Sequence, residues 1–221
     1  MYELDHVFVW VDAGGAVADR LVSFGLKEGE PNVHPGQGTA NRRFFFRHAF
    51  FELLWVADAA EAQSQLVRPT QLYERWSLRN SGVSPFGVAL RPTDRGPAEP
   101  PFPAWQYRPP YLPSPLAIHV GQNVPLMEPW WFFVGFGRRP DDPRWPKPQP
   151  LAHAAGFREI TQVRFTVPDL ASPSLSAAAA VRTGAVALAS GPEHLMEMTF
   201  DLGQQGQAKD FRPALPLLFL W

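Results

Sequence analysis

Two short apolar stretches near the start of the chain, residues 3–11 and 50–56, predict buried strands because both are rich in β-branched and aromatic residues. Side chains alternate across a strand, so each face of the first stretch should hold every second residue. The expected faces are Leu4, His6, Phe8 and Trp10 on one side and Asp5, Val7, Val9 and Val11 on the other. The first face therefore places an imidazole among apolar neighbours.

The same pattern divides the remaining chain into short elements. Apolar spacing predicts a helix over residues 16–24 that ends at Gly25, and helical turns over 59–80 that are split at Pro69. Residues 34–41 and 138–150 are rich in turn residues and are expected to be loops. The other predicted elements are an alanine-rich helix at 174–182 and strands at 42–47, 84–91, 105–107, 116–120, 129–136, 160–167, 194–201 and 215–221.

Glu52 lies inside the second apolar stretch, where a carboxylate is costly unless it is paired, hydrogen-bonded or bound to a metal. His6 and Glu52 are therefore two candidate metal ligands, each in the middle of a strand. The alternative is a core histidine that is hydrogen-bonded to a neighbour, together with a glutamate at a solvated strand edge. The residues alone leave both interpretations open.

The composition excludes several classes of function. With 20 basic and 21 acidic residues among 221, a formal charge of −1 and no basic stripe, nucleic acid is not an expected partner. The absence of cysteine excludes disulfides and thiolate chemistry. No apolar run reaches ~18 residues and no signal peptide is recognised, so we expect a cytoplasmic protein without membrane contact. The 25 prolines and 17 glycines indicate short elements with irregular connections.

The C-terminal segment weakly resembles the first segment, which suggests an internal repeat. Residues 160–167 can be aligned with residues 4–11, which sets Gln162 at the place of His6. Likewise, residues 194–201 can be aligned with the second strand, which sets Glu197 at the place of Glu52. We expect one compact domain that has three parts. The first is a βαβββ module at 1–57, and the last is a βαββ-like module at 151–221. Between them, residues 58–150 hold connecting helices and middle strands, which form a degenerate module in one interpretation.

Several short motifs occur in a characteristic order. Leu4-Asp5-His6-Val7 opens the chain, Gly38-Thr39-Ala40-Asn41-Arg42 precedes a strand, Phe51-Glu52-Leu53-Leu54 closes the first module, and residues 84–91 and 160–170 follow. In this order the chain resembles the glyoxalase-like branch of the vicinal oxygen chelate superfamily, which includes glyoxalases, bleomycin-resistance proteins and dioxygenases. The resemblance implies an α+β fold in which paired βαβββ modules form a curled mixed sheet around an open cup, here with extra strands and proline-rich loops.

The resemblance also implies site residues. Metal-dependent relatives bind a divalent metal (Zn, Mn, Ni or Fe) through a His or Gln on each module's first strand and a Glu on each last strand. His6 and Glu52 match these positions, and Gln162 and Glu197 complete the set if the C-terminal repeat is the partner module. If residues 84–136 are the partner, the matching positions hold no ligand and His119 is the only nearby candidate. Candidate substrate-binding residues are Asn41, Arg43, Trp76 and His119.

The implied function is that of a divalent-metal-dependent lyase, isomerase or hydrolase that acts on a small molecule with vicinal oxygens, with Glu52 moving a proton. A metal-free small-molecule binder of the bleomycin-resistance type is the alternative, and eight tryptophans and 17 phenylalanines could line its cup. An extradiol-type dioxygenase would require a second imidazole, from His119 or His34. A scaffold without either activity is a further alternative. Because the family pairs modules within or between chains, a homodimer is also an expectation.

Overall fold

The computed structural model describes residues 1–221 and confirms the α+β class, with two mixed β-sheets and four short α-helices. None of these helices is both long and apolar enough to cross a membrane. The larger sheet has eight strands and curls into a half-barrel. Its strands are β1 (Tyr2–Trp10), β2 (Asn32–His34), β3 (Thr39–Phe45), β4 (Phe50–Val56), β5 (Phe86–Pro92), β6 (Ala104–Tyr107), β7 (Ile118–Gly121) and β8 (Trp130–Phe133).

Two halves of four strands meet at the centre of this sheet. The first half has the order β2-β3-β4-β1, in which β1 runs parallel to β4. The second half, read from the opposite edge, has the order β6-β7-β8-β5, in which β5 runs parallel to β8. The halves join through antiparallel pairing of β1 with β5. Residues 86–133 therefore provide the half-sheet that completes the cup begun by the first module.

Three α-helices and one 3-10 turn belong to the first half or connect it to the second. The helix α1 (Ala18–Phe24) follows β1, and Gly25 ends it in the left-handed conformation with φ of 114°. Between β4 and β5 lie α2 (Ala59–Ala62), a 3-10 turn (Arg68–Thr70) and α3 (Leu72–Ser77). The break at Pro69 agrees with the sequence prediction, because proline lacks the backbone N–H that a continuing helix needs.

The C-terminal segment forms a second sheet of five strands with the order β10-β9-β11-β13-β12. The helix α4 (Leu175–Arg182) packs against β8 and β10. The strands are β9 (Ile160–Val167), β10 (Ala187–Ser190), β11 (Leu195–Phe200), β12 (Ala208–Asp210) and β13 (Leu217–Leu220). This topology corrects the aligned repeat, because β9 and β11 are antiparallel whereas β1 and β4 are parallel.

Two hydrophobic cores lie on opposite faces of the eight-stranded sheet. The larger core contains 33 buried residues and joins both sheets, for example Val7, Phe51 and Phe165. The smaller core contains 14 buried residues on the concave face, for example Phe8 and Trp130. The alternation along β4 explains the division, since Phe51 and Leu53 enter the larger core while Leu54 enters the smaller one.

A hairpin replaces the loop that was predicted at residues 34–41. Strand β2 pairs with β3, so that Asn32 lies opposite Asn41 and His34 lies opposite Thr39. The turn between them contains Gly36 and Gly38, both with positive φ, which glycine adopts without steric cost. The prediction was wrong because the polar side chains of these strands bond to one another and show no apolar alternation.

A β-bulge in β1 changes the faces that were predicted for this strand. Its pairing with β5 shifts register between Leu4 and His6, which inserts one extra residue, Asp5, into β1. Leu4 consequently packs with Val7 in the larger core, whereas His6 lines the cup together with Phe8. Asp5 also lines the cup instead of facing away from it.

Candidate functional site

The concave face of the eight-stranded sheet lines a cavity of about 730 Å³. This volume is in the range of sites that bind small molecules. One side of the cavity is polar and contains His6, His34, Arg43 and Glu52, and the other side is mostly aromatic and aliphatic. Residues 111–116 and 136–146, which come from the irregular connections, also contribute lining side chains. The arrangement is a pocket with two chemically different walls.

His6 is held by hydrogen bonding on one edge and by aromatic rings around it. Its Nδ1 lies 2.6 Å from Oδ1 of Asp5, and the bulge allows these consecutive residues to meet on the same side of the strand. The ring stacks on Phe50 at 4.4 Å and meets the edge of Phe132 at 5.2 Å. Since the carboxylate accepts the Nδ1 proton, the lone pair of the neutral ring is on Nε2.

The carboxylate of Asp5 has a second partner, Arg91 of β5. Asp5 is 4% exposed, and its Oδ2 accepts from the buried guanidinium of Arg91 at 3.4 Å. Arg91 also donates to Glu3 at 3.2 Å and to the carbonyl oxygen of His48 at 2.5 Å. A buried carboxylate requires such a counter-charge, so Arg91 holds the negative end of the Asp5–His6 pair in place.

The carboxylate of Glu52 is buried in the wall of the cup and accepts one hydrogen bond from the protein. It is 6% exposed, and its Oε1 accepts from Nδ2 of Asn41 at 2.9 Å. Asn41 in turn accepts from the backbone N–H of Asn32 at 2.8 Å. The hairpin therefore positions the carboxylate, which lines the cavity opposite the aromatic wall.

His34 lines the same cavity but both of its ring nitrogens have partners. Nδ1 lies 2.8 Å from Oγ1 of Thr39, and Nε2 lies 3.0 Å from the side-chain amide of Asn32. Burial lowers the pKa of His34 from 6.5 to about 4, and the nearby charge of Arg43 contributes in the same direction. His34 is therefore neutral at pH 7 and has no free lone pair for a ligand or a proton.

Arg43 brings positive charge to the polar wall. Its guanidinium lies over the rings of Phe45 and Phe50, at 5.0 Å and 5.9 Å from their centroids. Burial lowers the pKa of Arg43, and the carboxylate of Glu52 opposes this shift. Its hydrogen bond within the protein runs from Nε to the carbonyl oxygen of Glu30, at 2.8 Å, which leaves the two Nη groups for a ligand.

The aromatic wall comes mainly from β1 and β8. Phe8 lies 6.2 Å from both Trp130 and Phe132, and these two rings lie 4.5 Å from each other. Tyr111 closes the cavity near His34, at 4.9 Å between ring centroids, and burial raises the pKa of its phenol. This wall offers flat apolar surface to a ligand but no metal-binding atom.

Comparison with known proteins identifies the family. The model of the glyoxalase-like domain family matches residues 4–181. The chain belongs to this family. The crystal structure of a hypothetical protein from Staphylococcus aureus shares the fold of this glyoxalase-like domain, with a TM-score of 0.52 over 99% of each chain and 10% sequence identity. No curated protein matches the chain significantly. The family resemblance that the motifs indicated is confirmed.

The donor set of this glyoxalase-like domain falls short of a divalent-metal centre. His6 and Glu52 face the cup, but no group of three or more His, Asp or Glu side chains is placed to share one ion. Metal sites in proteins usually take at least three protein ligands. On the second half-sheet the concave positions are Gly87, Ala89, Trp130 and Phe132, none of which can coordinate a metal.

Gln162 and Glu197, the other two predicted ligands, lie in the second sheet. Gln162 is exposed on β9, where it pairs with Thr199, and Glu197 on β11 pairs with Arg164 at 3.8 Å between charged atoms. Neither side chain lines the cup. The structure brings His6 and Glu52 together and leaves this second pair elsewhere, because the C-terminal strands build their own sheet.

Only one of the four predicted substrate-binding residues lines the cavity. Arg43 lines the cavity, whereas Asn41 lies behind Glu52 as its hydrogen-bond donor. Trp76 lies outside the cavity lining, and its Nε1 donates to the carbonyl oxygen of Val11 at 2.9 Å. His119 faces away from the cup, toward Phe133 of the larger core, because it alternates with Ile118 and Val120 of the smaller core.

Asp5 is the functional candidate that sequence reasoning missed. Strict alternation places it on the face opposite to His6, and only the bulge brings the two side chains together. The Asp-His dipeptide is a signal of a carboxylate–imidazole pair only where the register of the strand is known. Trp130 and Phe132 were recognised as an aromatic strand, but the position of Phe132 beside His6 follows from pairing of β8 with β5.

Proposed function

We propose that this glyoxalase-like domain binds a small molecule with a planar apolar body and an anionic end. The observation that carries the proposal is the division of the cup into an aromatic wall and a polar wall. The concave positions where a complete metal site would need its second pair of ligands hold Gly87, Ala89, Trp130 and Phe132, none of which can coordinate a metal. The body of the ligand would pack against Trp130 and Phe132, and its charged end would face Arg43.

The charges of the lining favour an anion over a cation at the polar wall. The two acids of that wall already have partners, since Asp5 interacts with His6 and Arg91, and Glu52 accepts from Asn41. Arg43 has no carboxylate within salt-bridge distance, so its Nη groups can donate a bidentate pair of hydrogen bonds to a carboxylate of the ligand. Its partly buried position strengthens such a pair relative to one in bulk water.

A matched set of compounds tests this proposal. We would titrate the protein with 2-naphthoate, its neutral methyl ester, 2-naphthylmethylamine and cyclohexanecarboxylate, following tryptophan fluorescence and calorimetry. Binding should be tightest for 2-naphthoate, weaker for the neutral ester and absent for the amine. Arg43→Gln should weaken naphthoate binding about tenfold or more while leaving the ester unchanged, since a charge-assisted hydrogen bond contributes about 1.5–3 kcal/mol.

Arg158→Gln is the matched control, because Arg158 is exposed and pairs only with Asp201 at 3.7 Å. This variant should bind naphthoate as the wild type does. Saturable binding of the amine in preference to the acid would contradict the proposal, and so would no binding by any compound of the set.

The metal-dependent lyase, isomerase or hydrolase remains the alternative, supported by His6 and Glu52 in one cup. A dioxygenase of the two-histidine type has less support, because His34 uses both ring nitrogens and His119 faces away. The divalent metal, the cytoplasmic location and the homodimer stay predictions. Analytical ultracentrifugation would test the last of these.

A further inference from the structure

We infer that the Asp5–His6 pair acts as a metal-independent general base on a small molecule held in the cup. The inference rests on the proposed small-molecule site and adds a reaction to it. The substrate class is a molecule with an apolar body and a weakly acidic carbon–hydrogen bond, such as one next to a carbonyl group. The juxtaposition that supports it is an oriented imidazole with one free nitrogen inside an apolar cavity.

One ring nitrogen of His6 is free. Nδ1 is engaged by Asp5 at 2.6 Å, whereas Nε2 has no hydrogen-bond partner in the protein. Nε2 is not fully buried, so it is accessible within the cavity that His6 lines. An accessible lone pair on an oriented ring is what proton abstraction requires.

Asp5 and the residues around it support the imidazole. When Nε2 takes a proton, the ring becomes positively charged and Asp5 stabilises it across the 2.6 Å contact. Arg91 fixes the Asp5 carboxylate from the opposite side, and Gly137 packs against it. Stacking on Phe50 and the edge contact with Phe132 restrict rotation of the ring. The base is thus oriented before a ligand binds.

Arg43 provides a positive group for the negative charge that the substrate would develop. Phe50 contacts both groups, since His6 stacks on its ring at 4.4 Å and the Arg43 guanidinium lies 5.9 Å from its centroid. A substrate that reaches from Nε2 to Arg43 would therefore place its carbonyl oxygen near the cation, in the position that the binding proposal gives to a carboxylate, and this oxygen becomes anionic only as the proton is removed. A positive group at the developing oxyanion stabilises the transition state.

The step balances without a further reactant. The carbon–hydrogen bond breaks, its proton forms a bond to Nε2, and its electron pair moves onto the carbonyl oxygen as an enolate. The imidazolium then returns the proton to another carbon, which gives an isomer, or to a departing group, which gives an elimination. His34 cannot replace His6 in this role because both of its nitrogens are hydrogen-bonded.

The test uses 5-nitrobenzisoxazole, a planar aromatic probe whose isoxazole ring opens when a base removes the C–H proton of that ring. The C–H electron pair forms the nitrile, the N–O bond breaks, and a coloured nitrophenolate is released. The wild-type protein should catalyse this opening with saturation. His6→Gln should lower the rate about 100-fold or more, because a positioned base contributes about 10²–10⁴ in rate. His119→Gln, outside the cup, should leave it unchanged.

Asp5 is a positioning residue, and its variant needs a readout that a loss of structure would not produce. Asp5→Asn should lower kcat for ring opening and leave KM for the probe unchanged, since the ring loses the carboxylate that orients it but keeps its place in the binding wall. Added imidazole should restore turnover in His6→Ala in a saturable manner. Thermal melting of each variant would show that it is folded.

Two negative results are distinguishable. In the first, the probe quenches tryptophan fluorescence saturably and Trp130→Leu removes the quenching, but the wild type is no faster than His6→Gln. This result overturns the proton-transfer inference and leaves the binding cup supported. If the probe produces no saturable quenching, the result counts against the aromatic binding site and against the inference that rests on it.

Discussion

Gly87 lies directly under the ring of Phe8 where β5 pairs with β1, so that a β-carbon at position 87 would overlap that ring. Both residues are on the concave face, and Phe8 is 1% exposed. Gly87→Ala should therefore displace Phe8 toward the cavity and destabilise the protein by about 1–3 kcal/mol, the usual cost of an overpacked core. Denaturant unfolding, monitored by circular dichroism, would measure the change.

The double variant Phe8→Leu/Gly87→Ala is the control for this steric explanation. The smaller side chain should recover part of the loss, so that the two substitutions are not additive. Additive losses would contradict direct contact between residues 8 and 87 as the cause.

Removal of Arg91 is expected to be costly, since its side chain is 1% exposed and pairs with the buried carboxylate of Asp5. Arg91→Met should destabilise the protein by about 3–5 kcal/mol, because it leaves a buried carboxylate without its counter-charge. Arg158→Met should cost less than about 1 kcal/mol, since the Arg158 side chain is 63% exposed. Chemical denaturation of both variants compares them directly, and equal losses would refute the role of Arg91.

His34 should make stability depend on pH. Its folded pKa of about 4 is lower than the 6.5 of a free histidine, so between these values the unfolded chain binds the proton and the folded protein does not. Stability from this residue is complete above pH 6.5 and falls by up to about 3 kcal/mol as the pH drops to 4, at about 1.36 kcal/mol per unit.

The difference between wild type and His34→Gln isolates this contribution, because other acid-sensitive groups are common to both proteins. Urea unfolding at several pH values from 4 to 8 should give a wild-type curve that is steeper than that of the variant. Parallel curves would show that His34 titrates normally in the folded state.

Metal content is the measurement that separates the two candidate functions. Protein incubated with Fe(II), Mn(II), Zn(II), Ni(II) or Co(II) and then desalted should retain well under one equivalent, since only two family positions carry ligands. One equivalent of metal in the wild type that is lost in both His6→Ala and Glu52→Ala would establish a metal centre and contradict this expectation. Loss in neither variant would indicate binding away from the cup.

Much of the fold could be predicted from local pattern. The apolar runs at 50–56 and 160–167 became β4 and β9, the helix at 174–182 became α4, and the break at Pro69 occurred where expected. The strands β2, β10 and β12 were missed because they are short and lack buried alternation. Family membership also followed from short motifs, since their order along the chain depends on no long-range contact.

The partner of the first half-sheet could not be chosen from sequence. The choice between residues 84–136 and 160–201 depends on whether strands run parallel or antiparallel, which apolar alternation does not encode. The weak repeat favoured Gln162 and Glu197, although β9 and β11 run antiparallel in a separate sheet. The pairing of β1 with β5 is what places an aromatic wall opposite Glu52.

The identity of the candidate site residues His6 and Glu52 thus came from the chain's local pattern, because a polar side chain inside an apolar run needs a reason to be there. Their chemical surroundings came only from tertiary structure. One extra residue in β1 turns Asp5 toward His6, and hydrogen bonds across the hairpin occupy His34. Both effects depend on strand register, which is set by the packing of the whole sheet and not by neighbouring residues.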